Sequence, residues 1–329
     1  MITKKEIAEK LGVSRTTVSL VLNRKPDARI SEQTRKRVLK AAKELGYRPE
    51  EGQELPDLIC YILCNRKLDV PHYYEQLKKL ERIASERGLR IIFITVDHDQ
   101  SEYTKMVNIL KSTGVKGAVL AGDFNQEIVQ RIQQIPLPFV ASGVTNIEGI
   151  NVVAPDHFNA GFDAANHLLE LGHKRIAFFT GELYKLTHSK ILAGYRRAYE
   201  TRNLKFDPAL VQISHAERGD DLVQRMKELG IDYTAILAVN EKMGVDALNE
   251  LKMEGKDIPN DVSIIAIGGD RSGLHCRPKL STVVAQEGAS AKLILDTLEQ
   301  NINNYNMKPK KIVVQCTIIH RESTSPYSG

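Results

Sequence analysis

From Leu58 onward the chain alternates, almost without interruption, between short apolar runs of β character and segments with helical spacing. The runs are "LICYIL", "LRIIFITV", "KGAVLA", "LPFVAS" and "INVVA", with helical patterns at roughly 72–88, 101–113, 124–134 and 157–171. A second series follows: "RIAFFTG", a helix near 188–202, "ALVQIS", a helix near 218–229, "TAILAVN", a helix near 241–254 and "VSIIAIGG". "LSTVVAQ", a helix near 287–303 and a last strand "KIVVQCTII" complete it. A strand returning parallel to its predecessor needs a crossover long enough to hold a helix, so this rhythm predicts parallel sheets with helices on both faces. Strands covered on both faces read as continuous apolar runs, as these do. Some ten strands are too many for one comfortable open sheet. The expected core is two doubly wound parallel-sheet α/β subdomains, with a cleft between them as the ligand site.

The first 50 residues have a different texture. They hold thirteen Lys/Arg against six Asp/Glu, a net of +7, so the chain's total of +5 leaves the other 279 residues at −2. A basic unit at one end of a mildly acidic chain points to a polyanionic partner at that end. Thr3-Lys4-Lys5-Glu6 is a capping-box pattern, with Ile7, Ala8 and Leu11 striped behind it and Gly12 as the break. Ser14 can cap a second helix whose Val18, Val21 and Leu22 share a face; "NRKPDARI" is a loop. Ser31 can cap a third, with Val38, Ala41, Ala42 and Leu45 at helical spacing and Gly46 after its end. Two helices about a glycine turn and a third closing the core make an all-α helix-turn-helix unit. A linker, "RPEEGQELPD", separates it from the α/β core.

Other function classes find little support. "GGDRSG" is glycine-rich but lacks the Lys-Ser/Thr of a phosphate loop, and there is no Gly-x-Ser-x-Gly elbow, so no enzyme is expected. "GHKR" at 172–175 reads as a helix end and a strand start, with His173 capping or packing. Cys60, Cys64, Cys276 and Cys316 have no paired Cys/His spacing for zinc and are expected to be buried reduced thiols; no metal and no cofactor are proposed. No apolar run is long enough to span a bilayer. The opening "MITKKEIAEKLG" lacks the apolar core of an export signal, so the expected compartment is the cytoplasm.

The same residues resemble the lactose/galactose-repressor family of bacterial transcription regulators along nearly the full chain. The likeness is carried by "ITKKEIAEKLGVSRTTVSLVLN…ISEQTRKRVLKAAKELGYRP" and then, in the family's order, by "LLELGHKRIAFFTG", "AGYRRAYE", "TAILAVNEKMGVDALNELKMEGKDIPNDVSIIAIGGD", "PKLSTVVAQ" and "RESTS". It implies a homodimer that binds double-stranded operator DNA and changes affinity when a small molecule, a sugar or sugar derivative, enters a periplasmic-binding-protein-like core. It also implies three crossovers between subdomains, near 155, 285 and 308. The expected organisation is a headpiece at 1–49, a linker at 50–57 and a core at 58–329. Within the core, the N-subdomain takes 58–155 and 286–307 and the C-subdomain 156–285 and 308–323. A family leucine heptad after the core has no counterpart in "RESTSPYSG", which favours a dimer over a tetramer. A sugar-receptor-like protein without export, or a regulator controlled by a partner protein, are the alternatives.

A helix entering the major groove needs short side chains near phosphates and longer ones at base edges. Arg15 and Thr16, at the first turn of the second helix, are the expected base readers: Arg can hold guanine O6/N7, and a Thr methyl can rest on thymine's. Ser14, Ser19, Asn23, Ser31 and Thr34 match the family's phosphate contacts, and Lys4 and Tyr47 its flanking ones. The residue after Ser19, often an arginine in the family, is Leu20, which shifts guanine reading onto Arg15. The family's minor-groove hinge helix has no clear equivalent, because "EEGQELPD" carries four carboxylates, Gly52 and Pro56. Leu55 is the one residue there that could wedge a base step, and a short tether is the expected form.

In the core, the resemblance puts Asp270 and Asn240 at ligand-holding positions and Asp156, Tyr73 and Tyr74 on cleft-lining segments; for Asp156 an N-cap role is an equal alternative. The position three before Gly194, where the family has an arginine that grips ligand hydroxyls, is Ile191, which the resemblance therefore also puts among the effector-binding residues. The Asp usual after Asn240 is Glu241. Apart from Arg271, no cation is evident at the cleft.

Overall fold

The computed structural model describes residues 3–22, 30–45, 57–68, 71–269, 271–285, 288–304 and 308–328. They fall into two compact units, 1–56 and 57–329. The first holds α1 (Lys4–Leu11), α2 (Arg15–Leu22) and α3 (Glu32–Glu44). Ile7, Ala8, Val18, Val21, Val38, Ala41 and Ala42 are buried together as its core. Gly12 sits at φ 66°, the left-handed conformation that lets α1 stop and the chain turn into α2.

The second unit contains two six-stranded sheets. One is formed by β1 (Asp57–Cys64), β2 (Leu89–Val96), β3 (Gly117–Gly122), β4 (Phe139–Ser142), β5 (Val152–Pro155) and β11 (Lys311–Val314). Its order, β11-β5-β4-β3-β1-β2, is parallel throughout. The other is formed by β6 (Ile176–Thr180), β7 (Val211–Ile213), β8 (Ala235–Ala238), β9 (Ser263–Gly268), β10 (Ser281–Ala285) and β12 (Cys316–Ile319). Its order is β12-β10-β9-β8-β6-β7, with only β12 antiparallel. The helices α4 (Pro71–Glu86), α5 (Gln100–Thr113), α6 (Gln126–Gln133), α7 (His157–Glu170), α8 (Leu186–Thr201), α9 (Gly219–Glu228), α10 (Glu241–Met253) and α11 (Ala289–Asn303) connect them. The first sheet is packed on both faces, by separate clusters around Ile62 and Leu120 and around Tyr61 and Leu295.

The chain passes between sheets after β5 and after β10, but the third passage is not near 308. "KIVVQCTII" is two strands: "KIVV" pairs with β5, and "CTII" runs antiparallel to β10. The passage is at Gln315, so 308–314 belongs with the first subdomain. Apolar side chains continue at period two across it, Ile312 and Val314 entering one core and Cys316 and Ile318 the other. That unbroken alternation is why the segment reads as a single strand.

Beyond β12 the chain lies along the second sheet. Ile264 N donates to Ser323 O at 2.7 Å, and Tyr327 N to Leu171 O at 2.8 Å. His173 is buried between Thr234 Oγ1 and the Ser325 carbonyl, 3.0 Å from each, which makes it a packing residue. All four cysteines are unpaired thiols; Cys60 and Cys64 are buried, while Cys276 and Cys316 are partly exposed. Among the described residues no helix is long and apolar enough to cross a membrane.

Candidate nucleic-acid interface and ligand cleft

The headpiece helices start as their hydroxyl residues dictate. Thr3 Oγ1 accepts from Glu6 N at 3.3 Å while Thr3 N donates to Glu6 Oε2 at 2.6 Å, closing the capping box. Ser14 Oγ accepts from Thr17 N at 3.0 Å, and Ser31 Oγ from Thr34 N at 3.2 Å. The serines expected to meet phosphate thus also begin α2 and α3, at the helix N-termini where unpaired amide hydrogens and the helix dipole favour an anion. Arg15 and Thr16 are exposed on the first turn of α2, and Arg15 has no hydrogen bond or ion pair within the described residues. A guanidinium without an internal partner, next to a helix N-terminus, is available to an external acceptor. Lys4 and Ser19 are partly exposed, as is Leu20. Asn23, Tyr47 and Leu55 lie outside the described residues, with the 50–56 linker.

In the core, the carboxyl ends of the parallel strands carry the polar residues, the place where open α/β sheets bind ligands. Because β1 pairs with β3, Arg66 and Asp123 emerge side by side and form an ion pair at 2.8 Å. Tyr73, on the first turn of α4, stands near them; burial pushes its hydroxyl up to about 12, against the opposing pull of Arg66 and with smaller help from Asp123 and Glu217. Tyr74 is half exposed, with the Lys78 ammonium 5.9 Å over its ring.

The second sheet supplies the other wall. Lys185, preceding α8, pairs with Glu217 at 2.5 Å, and Asn240 Nδ2 donates to Glu217 Oε2 at 3.1 Å. Burial would raise the Glu217 carboxyl, but the Lys185 ammonium outweighs it and, with His188 and Arg66, holds it below the usual range. Arg66 responds in turn: burial opposes its charge, while Tyr73, Asp123 and Glu217 raise its pKa. Asn240 is also the N-cap of α10, accepting from Met243 N at 2.8 Å. Glu241 is buried and accepts from Gly273 N at 3.0 Å, tying α10 to the turn after β9. Among the described residues four non-glycine residues have positive φ, and three of them, Asn65, Glu217 and Arg271, follow β1, β7 and β9 on this side of the sheets. Backbone strain concentrated around a cleft is characteristic of a functional site.

Asp156 is the N-cap of α7, with Oδ1 accepting from Asn159 N at 3.0 Å and Oδ2 from Asn159 Nδ2 at 2.7 Å. Asp270 lies outside the described residues. Ile191 does not line the cleft. It is fully buried in the second subdomain's core, and a Cβ on Gly161 would lie only 2.2 Å from its carbonyl oxygen. The arginine missing there is matched by cations on other elements: Arg66 and Lys185, neither anticipated, flank the cleft from opposite subdomains. Arg66 and Asp123 follow parallel strands within two residues, a position that marks them in retrospect; Glu217 sits in a turn whose path no local pattern encodes. Among the described residues no cluster of His, Cys, Asp or Glu is placed to hold a metal.

Comparison with known proteins agrees with both halves. Residues 3–50 match the family model "Bacterial regulatory proteins, lacI family", and residues 165–324 match a periplasmic binding protein-like domain. Catabolite control protein A of Priestia megaterium is 28% identical, over 98% of this chain and 99% of its own. The solved structure of the transcriptional regulator CelR–cellobiose complex is 25% identical, covers 98% of this chain and all of that one, and superposes with a TM-score of 0.72. The lac repressor dimer bound to operator and the anti-inducer ONPF gives 0.74 at 21% identity, covering 98% of this chain and 99% of that one. A helix-turn-helix unit followed by two parallel-sheet subdomains is the architecture found here, and the chain belongs to the lacI family of bacterial regulatory proteins, DNA-binding transcription regulators with a periplasmic-binding-protein-like core.

Proposed function

We propose that this regulator is a cytoplasmic homodimeric repressor that reads an operator half-site with each headpiece and is controlled by a sugar or sugar derivative bound in the core cleft. The observation that carries the DNA reading is Arg15, exposed at the start of α2 without an internal partner in a segment of net charge +7. Arg15 and Thr16 contact bases. Ser14, Ser19, Asn23, Ser31 and Thr34 contact phosphates, with Lys4 and Tyr47 at the flanks; Leu55 belongs to a tether. Two headpieces raise affinity through effective concentration, since a single one offers little surface. The operator-bound lac repressor dimer supports the dimeric reading, and cellobiose in CelR supports a sugar.

Asp270, Asn240 and Tyr73 are the proposed effector contacts, with Asp156 and Tyr74 at the rim. A thermal-shift screen over sugars, sugar acids, sugar phosphates and nucleobases tests the effector. A binder of the native state raises the melting temperature by mass action, so a sugar that shifts both melting and operator affinity is expected. A nucleobase that does so while sugars are silent contradicts the sugar reading.

A further inference from the structure

Two ion pairs stand at the cleft, one from each subdomain: Arg66–Asp123 at 2.8 Å and Lys185–Glu217 at 2.5 Å. We propose that these four residues are the specificity-determining clamp of this chain, accepting a neutral molecule with neighbouring hydroxyls and rejecting the same molecule when it carries a phosphate or carboxylate. The proposal rests on the effector reading above and narrows it.

The first support is charge balance. Each wall presents N–H donors beside carboxylate acceptors, and the two pairs sum to zero. A hydroxyl donates and accepts at once, so a vicinal diol can engage either wall and leave nothing unpaired. An added anion finds each cation already matched and stands next to Asp123 and Glu217 in a partly buried space where screening is weak.

The second support is that Glu217 is held in place. Lys185 grips Oε1 and Asn240 grips Oε2. Its backbone is left-handed at φ 53°. Gly181 leaves room for it: a Cβ there would lie 2.8 Å from Glu217 Cγ and 2.8 Å from the His188 ring. The third support is an unmet donor. Arg66 Nε is buried without a hydrogen-bond partner among the described residues, although the guanidinium's Nη2 is spent on Asp123. Such a group calls for an acceptor such as a ligand hydroxyl. With Ile191 sealed in the core, Arg66 and Lys185 are the ion-paired cations that the two walls offer to a ligand hydroxyl.

The test uses the full-length protein and matched probes: glucose, ribose and cellobiose against glucose 6-phosphate, ribose 5-phosphate and cellobionate. At least one neutral probe is expected to raise the melting temperature, with its charged counterpart needing at least tenfold higher concentration for the same shift. Glu217→Gln keeps the shape and removes one charge; it is expected to shrink that ratio at least threefold. Asp123→Asn makes the same test on the opposite wall, should Glu217→Gln fail to fold. Arg82→Gln, in an exposed pair on α4, is expected to leave the ratio unchanged. Equal or tighter binding of the charged probe overturns the clamp, as does an undiminished ratio in folded variants. Silence of every probe also overturns it, while leaving DNA recognition, which is measured separately by duplex selection, untouched.

Discussion

Asn240 joins a helix start to the cleft: its Oδ1 caps α10 through the Met243 amide at 2.8 Å while its Nδ2 holds Glu217 Oε2 at 3.1 Å. Replacing it separates the two roles. Asn240→Ala loses the cap, at a cost of about 1 kcal/mol, and frees Glu217. Asn240→Asp keeps a cap acceptor but sets a second carboxylate beside Glu217. Urea unfolding should therefore show a larger loss for Ala than for Asp, whereas both variants should lose sugar-induced stabilisation.

The α7–α8 contact depends on two glycines facing each other's backbones. A Cβ on Gly194 would lie 2.0 Å from the Phe158 carbonyl, and one on Gly161 would lie 2.2 Å from that of Ile191. Backbone cannot rotate away as a side chain can, so the helices must part. Gly194→Ala is expected to destabilise the core by about 1–3 kcal/mol in urea titration, with little change in headpiece helicity.

How much of this could be read in advance follows from how local each signal is. Thr3, Ser14 and Ser31 cap their helices as their positions suggest, because a cap is decided within four residues. Strand–helix alternation likewise declares two parallel layers. The passage at Gln315 was hidden because alternation does not stop when a strand changes sheets. Ile191 misled for a different reason: a family's contact position says nothing of whether an apolar replacement stays at the surface or turns inward, and here the core takes it. Arg66 and Glu217 meet only through tertiary placement, so no spacing in the chain announces them.

Arg87, on the turn after α4, reaches α11 with both arms, to Asp296 at 2.7 Å and to Glu299 at 2.8 Å. It is partly buried, and removing it leaves two carboxylates facing each other with only Lys292 on Asp296. Arg87→Ala should cost about 1–3 kcal/mol, and Arg87→Lys should recover only part, since one ammonium cannot reproduce the forked geometry. Chemical unfolding at low and high salt checks both.

Acid should destabilise the core before carboxylates titrate. His157 lies near His72, Lys190, Asp156 and His188; burial first, and then its cationic neighbours, lower its pKa from 6.5 to about 4, and Nδ1 has no partner among the described residues. His167, His173 and His188 are shifted the same way, each mainly by burial. The unfolded chain binds protons that the folded one refuses, so stability is complete above pH 6.5 and is lost as the pH falls toward about 4. His157 alone accounts for roughly 2 kcal/mol at pH 5. Melting temperature should be level from pH 7 to 8 and drop below 6.5, with a shallower fall in His157→Gln.

In the function proposed here, the headpiece reads duplex sequence through Arg15. The most direct measurement is selection from a random duplex library by the purified protein at moderate salt, repeated with Arg15→Ala. The native protein is expected to enrich a two-half-site motif, and the variant to lose preference at one position per half-site, worth about 1–3 kcal/mol, while keeping the rest. Enrichment of no motif by the native protein, or an equal weakening on every sequence in the variant, would contradict it.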